Sequence, residues 1–150
     1  MPQYARPSTD AFGNTFVTEA NSSANMYQSI DETVPSDTDY IISAQNPANN
    51  VYVTKLTAVD DPLVDPGHTI NFRYKKDVAV NAEQIDLVVE LREEYQSEAN
   101  AAQLGTLIAQ YNIANIASAW TNGTYALSNT EAGTINAYAN LSLRFIFNKP

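Results

Sequence analysis

One histidine, one tryptophan and several grouped carboxylates are the side chains of this sequence that could do more than pack. His68 is the only imidazole, and it follows Pro66-Gly67. A catalytic triad needs a nucleophile and an orienting acid within hydrogen-bond reach of such a base. No serine stands in a G-x-S-x-G elbow, and cysteine is absent, which also rules out disulfides and thiol catalysis. His68 therefore reads as a structural or surface residue where a strand begins.

Asp60, Asp61 and Asp65 crowd one loop, and carboxylates in a loop can hold Ca²⁺ through oxygen. Their spacing is not that of an EF-hand, and Pro62 and Pro66 make them ordinary turn residues that bond nearby backbone N–H groups. Asp31, Glu32, Asp37 and Asp39 form a second acidic group with less geometric support. Glu90, Glu93 and Glu94 lie beside Arg92. A glycosidase pair would need carboxyls separated by roughly 5 to 9 Å across a cleft. On a strand, Glu90 and Arg92 share the solvent face, where ion pairs with neighbouring strands are routine. Trp120 could stack on a sugar ring, but its position before Thr121-Asn122-Gly123 reads as a core residue at a sandwich edge. Sequons at Asn21, Asn122 and Asn140 matter only in a eukaryotic secretory setting.

The elements that must position these residues follow from periodicity. Ile70, Phe72 and Tyr74 alternate with Thr69, Asn71 and Arg73 between His68 and Lys76. Ile85, Leu87, Val89 and Leu91 do the same between Gln84 and Tyr95, and so do Leu141, Leu143, Phe145 and Phe147 near the chain end. A period of two marks half-buried strands. Further strands are expected at Asp39–Ser43, Val51–Val59 and Thr106–Ile113, with the buried face of Val51–Val59 left open by its pattern. Asn25–Glu32 suggests a short helical turn, and Ser97–Gln103 a loop or short turn. Ala119–Leu127 suggests a hairpin or bent strand turning at Asn122-Gly123. Ser128–Tyr138 is the one expected helix, opened by Ser128 and Glu131 in S-x-x-E capping-box spacing and weakened at Gly133. The architecture is an all-β, antiparallel two-sheet sandwich, jelly-roll-like or Ig-like, with a short helix before the last strand. Residues 1–27, largely polar as far as about Ala24 but for Phe12, Phe16 and Val17, read as a loose N-terminal tail or as an extended arm that lies along its own domain or a neighbour through those apolar anchors, and 28–150 as the sandwich domain.

Length and charge narrow the function. A chain of 150 residues fits one domain. A net charge of −9 argues against nucleic acid or an anionic membrane as a partner, and suits docking on a basic surface. The start Met1-Pro2-Gln3-Tyr4-Ala5-Arg6 has no apolar core of a signal peptide, and no apolar run approaches the ~20 residues that cross a bilayer.

Ile30-Asp31-Glu32 followed by Pro35-Ser36-Asp37-Thr38-Asp39-Tyr40-Ile41 forms an I-D-E…P-x-D-x-D-Y-I element. Asp61-Pro62, Gly67-His68-Thr69, Phe72-Arg73-Tyr74-Lys75-Lys76, Val89-Glu90-Leu91-Arg92 and Gly105-Thr106-Leu107-Ile108-Ala109 come next. Tyr138-Ala139-Asn140-Leu141 and Leu143-Arg144-Phe145 close the series. In that order, over most of the chain after about residue 28, these segments resemble small β-sandwich virion proteins of tailed bacteriophages. The resemblance implies a non-enzymatic capsid decoration, or cement, protein on the exterior of the head. It implies a jelly-roll fold, the major capsid protein as partner, self-association as a trimer, and no cofactor. It transfers no site motif, so the expected interface residues are the apolar positions of the arm, Phe12, Phe16 and Val17. A neck or tail position is the nearest alternative within a particle. A carbohydrate-binding module, with calcium on the Asp60, Asp61 and Asp65 loop, is the alternative of another class.

Overall fold

The alternating segments do become strands, and the last of them is central. The computed structural model describes residues 2–13, 15–80 and 82–150. Its strands are β1 (Pro7–Phe12), β2 (Phe16–Thr18), β3 (Ile41–Ser43), β4 (Asn50–Leu56) and β5 (Thr69–Tyr74). They continue with β6 (Asp86–Glu93), β7 (Thr106–Ile113), β8 (Thr121–Ala126) and β9 (Leu141–Asn148); the α-helical turn α1 (Asn129–Ala132) precedes β9. Five strands form one antiparallel sheet in the order β1-β4-β9-β6-β7. The C-terminal strand β9 thus pairs on both sides, with β4 and with β6, and the sheet cannot close without it.

Register decides what each face carries. Tyr52, Phe145 and Val89 stand side by side in one cross-strand row, and Val53, Arg144 and Glu90 fill the next row on the opposite face. The first face is the core: Leu87, Val89 and Leu91 meet Leu141 and Leu143, with Ile70 of β5 above them and Ile108 and Ala109 of β7 alongside. Each such fully buried Val, Leu or Ile contributes roughly 1.5–3 kcal/mol. A second cluster joins Phe16, Met26 and Tyr52, flanked by Ile41, Phe145 and Phe147. The layer over the main sheet is divided into two ribbons, β5–β8 and β2–β3. The fold is all-β and sandwich-like, as the periodicity predicts, with its second layer split.

Several local expectations are corrected. Asn122-Gly123 is no turn: it lies inside β8, and Gly123 pairs with Phe72 of β5. The Phe72 ring occupies the space that a Cβ at Gly123 would need, which explains the glycine. The helix expected over Ser128–Tyr138 is a single turn, with its capping box present as predicted. It ends at Gly133, its C-cap and the position expected to weaken it; beyond it Glu93, a buried residue of β6, accepts hydrogen bonds from the backbone N–H groups of Asn136 (2.9 Å) and Ala137 (3.0 Å). The chain then reaches β9 through a 3₁₀ turn at Tyr138–Asn140.

The segment expected as an arm lies along its own domain. β1 is the edge of the main sheet beside β4, and β2 pairs with β3. Asp10 anchors it: its carboxylate accepts the Tyr52 hydroxyl (2.7 Å) and the backbone N–H groups of Met26 (2.8 Å) and Tyr27 (2.7 Å). The Met26–Ser29 3₁₀ turn is thereby fixed to β1, inside the expected Asn25–Glu32 turn. Met1 and Asn14 of this segment lie outside the described residues.

Candidate docking surfaces

One end of the sandwich is open. The stretch Gln3–Arg6 runs beside Thr57–Asp60, with Thr57 N–H donating to the Arg6 carbonyl (2.7 Å) and Gln3 exchanging two hydrogen bonds with the Asp60 backbone (3.0 and 2.8 Å). Between this stretch, the Val59–His68 loop and the segment before β9 that carries Ile135 and Tyr138 lies a cleft of about 460 Å³. Its floor reaches Leu91, Ile135 and Leu143 of the core, and Tyr4, Pro62 and Val64 stand at its walls. The loop tip beside it leaves Leu63 86% and Val64 55% exposed, and Tyr4 is 68% exposed.

His68 is set in this cleft by its partners. Its Nδ1 lies 2.9 Å from the Asp65 carbonyl oxygen, which can only accept, so Nδ1 carries the proton. Its Nε2 then accepts from the Tyr138 hydroxyl, 2.9 Å away. Burial raises the Tyr138 hydroxyl above its ordinary range, and the negative charges of Asp61 and Asp65 add to this. The pair ties the loop to the segment before β9; as expected, His68 does a structural job.

The carboxylates fall into place as separate local devices. Asp61 accepts the Leu63 N–H (2.7 Å), the turn bond expected of it. Among the described residues, no group of three or more His, Asp or Glu side chains is arranged to hold a metal ion. Asp37 is pulled below the ordinary carboxylate range by Arg73, whose Nε and second guanidinium nitrogen donate to it at 2.6 and 3.0 Å. Glu32 moves the other way, raised first by desolvation and then by the neighbouring Asp39 carboxylate.

Glu90, Glu93 and Glu94 do not converge on a cleft. Glu93 points to the core side and holds the backbone before β9. Glu90 sits on the opposite face, which is covered and not solvent-facing as the alternation suggested. Arg92 donates to it at 2.7 Å and Arg144 at 3.2 Å, and Arg144 also pairs with Glu98 at 2.8 Å. These side chains are between 7% and 15% exposed. Glu98 belongs to the 94–105 segment, which folds back over this face, and Arg92 also donates to the Gly105 carbonyl (3.1 Å). Gly105, at φ +71°, sits so close to this chain reversal that a Cβ would strike the Glu93 carbonyl and come within 2.8 Å of Glu94 and Tyr95 backbone atoms.

Trp120 belongs to neither core cluster. It is half-buried at the surface, edge-on to Tyr40, with the Arg73 guanidinium 5.6 Å and the Lys75 ammonium 4.9 Å from its ring centre. Asp37, Arg73 and Asn122 form a hydrogen-bonded row beside it. The sequence signal missed here was Arg73 and Lys75 with their intervening Tyr74, which puts both cations on the face opposite Phe72 and Tyr74.

Of the three expected interface residues, Phe16 is only 1% exposed and packs against Tyr52 and Phe147 with ring centres 5.7 and 5.9 Å away. It is a core residue of its own domain and offers no surface to a partner. Phe12 and Val17 are half-buried.

The fold and these surfaces define a β-sandwich-like scaffold with an apolar-rimmed open end and a separate aromatic–cationic patch. Compared with known proteins, the chain matches no family model, no characterised protein and no solved structure.

Proposed function

We propose that this chain is a non-enzymatic structural protein of a tailed-phage particle, docking on the capsid exterior as a decoration protein. The observation that carries the reading is the open end, where Tyr4, Leu63 and Val64 present apolar surface around the cleft. Side chains of this kind, exposed together and rimmed by polar residues, suit burial against another protein. The resemblance of the segments between Ile30 and Phe145 to phage virion β-sandwiches supplies the partner, the major capsid protein, and the −9 charge suits a basic docking surface. A stable contact would bury on the order of 1,200–2,000 Å².

The test is binding of the purified protein to capsids stripped of it. Leu63→Asp and Val64→Asp, at exposed positions, should leave folding intact and abolish both binding and the protection of heads against heat. Equal binding by these variants and the parent would sink the proposed docking end.

Trp120 favours one second reading, a carbohydrate-binding surface, because the aromatic ring stands beside the polar row Asp37–Arg73–Asn122. A glycan that binds only the native state would raise its melting temperature. A glycan panel, with and without calcium, that leaves the melting temperature unchanged counts against it.

A further inference from the structure

The two edges of the main sheet are treated differently. At one edge, β1 begins with Pro7, breaks register twice against β4, and has the Met26–Ser29 turn bonded to its Asp10. Proline, irregular register and a covering element are the usual ways of blocking strand addition. At the other edge, β7 is eight residues long, and its sequence Thr-Leu-Ile-Ala-Gln-Tyr-Asn-Ile holds no charge and no proline. Its backbone pairs with β6 on one side. Among the described residues, no hydrogen bond from another segment reaches the backbone of Thr106–Ile113 on its outer side. The register shift opposite Leu91/Arg92 affects only the start of β7, so Ala109–Ile113 is regular.

We infer that the β7 edge pairs with the β7 edge of a second copy of this chain, in antiparallel register about a two-fold axis through Tyr111. The sequence is self-complementary in that register. Tyr111 meets itself, Ala109 meets Ile113, and Gln110 meets Asn112, so apolar residues share the core face and amides share the outer face. Charge also permits it. A chain of net charge −9 repels its own copy over most of its surface, and β7 is a stretch where two copies meet without like charges. The upper layer ends at the same side: Tyr125 of β8 packs on Tyr111 with ring centres 5.2 Å apart, so pairing would carry the aromatic seam across the axis. The contact is isologous, because each copy presents the same patch. It stands apart from the phage reading, and its two-fold symmetry differs from the trimer implied by the resemblance.

Sedimentation velocity from about 5 to about 500 µM, a range suited to the small interfaces that fall below ~1,200 Å², tests it. The parent should move from monomer to dimer across the range. Gln110→Lys with Asn112→Lys places lysines opposite lysines across the axis, and should weaken pairing by more than about tenfold. Gln110→Glu with Asn112→Glu should do the same, and an equimolar mixture of the two double variants should restore a dimer. Both positions are exposed, so circular dichroism should show every variant folded. A parent that stays monomeric or forms a trimer overturns the inference. So does a lysine variant that dimerises like the parent, or a mixture that fails to pair. Loss of capsid binding by the Leu63 variant with dimerisation intact would separate this interface from the docking end.

Discussion

Replacing Phe16 by alanine asks whether the N-terminal segment is part of the fold or an appendage that awaits a partner. Phe16 is 1% exposed, and its ring fills the space between Tyr52 and Phe147. Truncating a buried phenylalanine costs about 3–5 kcal/mol, the lost transfer energy plus the cavity left behind. The cluster is small, with Met26 and Tyr52 as its other buried members, and one side of it is the short ribbon β2–β3. Some collapse into the space is therefore expected, which puts the loss near the lower end, at about 3 kcal/mol. For a domain of this size each kcal/mol lowers Tm by about 2–4 °C, so the fall should be about 6–12 °C. Urea titration at pH 7, followed by tyrosine and tryptophan fluorescence and by circular dichroism, gives the free energy directly. Val17→Ala, at a half-buried neighbour, is the matched control and should cost less than half as much. A Phe16→Ala loss below about 1 kcal/mol, inside the range of surface substitutions, would refute the reasoning. It would mean that β1 and β2 lie on the domain without stabilising it.

Three further outcomes follow from the same geometry. Gly105→Ala should be severely destabilising, because its φ of +71° is combined with backbone atoms where the Cβ must go; expression yield and a thermal melt check it. Glu90→Gln leaves Arg92 and Arg144 partly unpaired on a covered face and should cost about 3–5 kcal/mol in denaturant titration. The last concerns pH. Hydrogen bonds from the Ser128 backbone, Tyr125 and Ser128 hold Glu131 below its ordinary value of 4.5. A carboxylate depressed on folding contributes stability that is present above the unfolded value and lost as pH falls through the folded one. Glu32 is raised from 4.5 by desolvation and Asp39, so its contribution has the opposite sign and fades as pH rises through the raised value. Glu131→Gln should thus lower Tm at pH 7 and lose its effect as pH falls below 4.5 and through the depressed folded value, whereas Glu32→Gln should raise Tm at pH 7 and lose that gain in acid. Melting curves of both variants from pH 3 to pH 8 would contradict this if the two profiles ran in parallel.

Strong alternation carried far in this chain. β5, β6, β7 and β9 lie where their apolar residues repeat every second position, because one face of each is pressed against a core. β4 left its buried face open in sequence for a physical reason: Tyr52 and Val53, on opposite faces, are both fully buried. β1 was illegible because Pro-Ser-Thr-Asp-Ala-Phe has neither alternation nor β-branched density; it is held by its pairing with β4 and by Asp10. The capping box at Ser128 and Glu131 and the weak point at Gly133 were readable, but the Glu93 carboxylate that holds the backbone of Asn136 and Ala137 was not, because it comes from a strand distant in sequence. Among candidate surfaces, the turn role of Asp61 and the structural role of His68 followed from local sequence. The open end did not, because it is assembled from Gln3–Arg6, the Val59–His68 loop and the segment before β9.

Locating and counting the chain in purified particles, by cryo-electron microscopy and quantitative mass spectrometry, decides whether this sandwich docks on a phage head. Density for the sandwich is expected on the outer capsid surface, its Leu63 and Val64 end facing the lattice, at on the order of hundreds of copies per particle. Particles without the chain, or with only about a dozen copies in a ring at the neck, would contradict it.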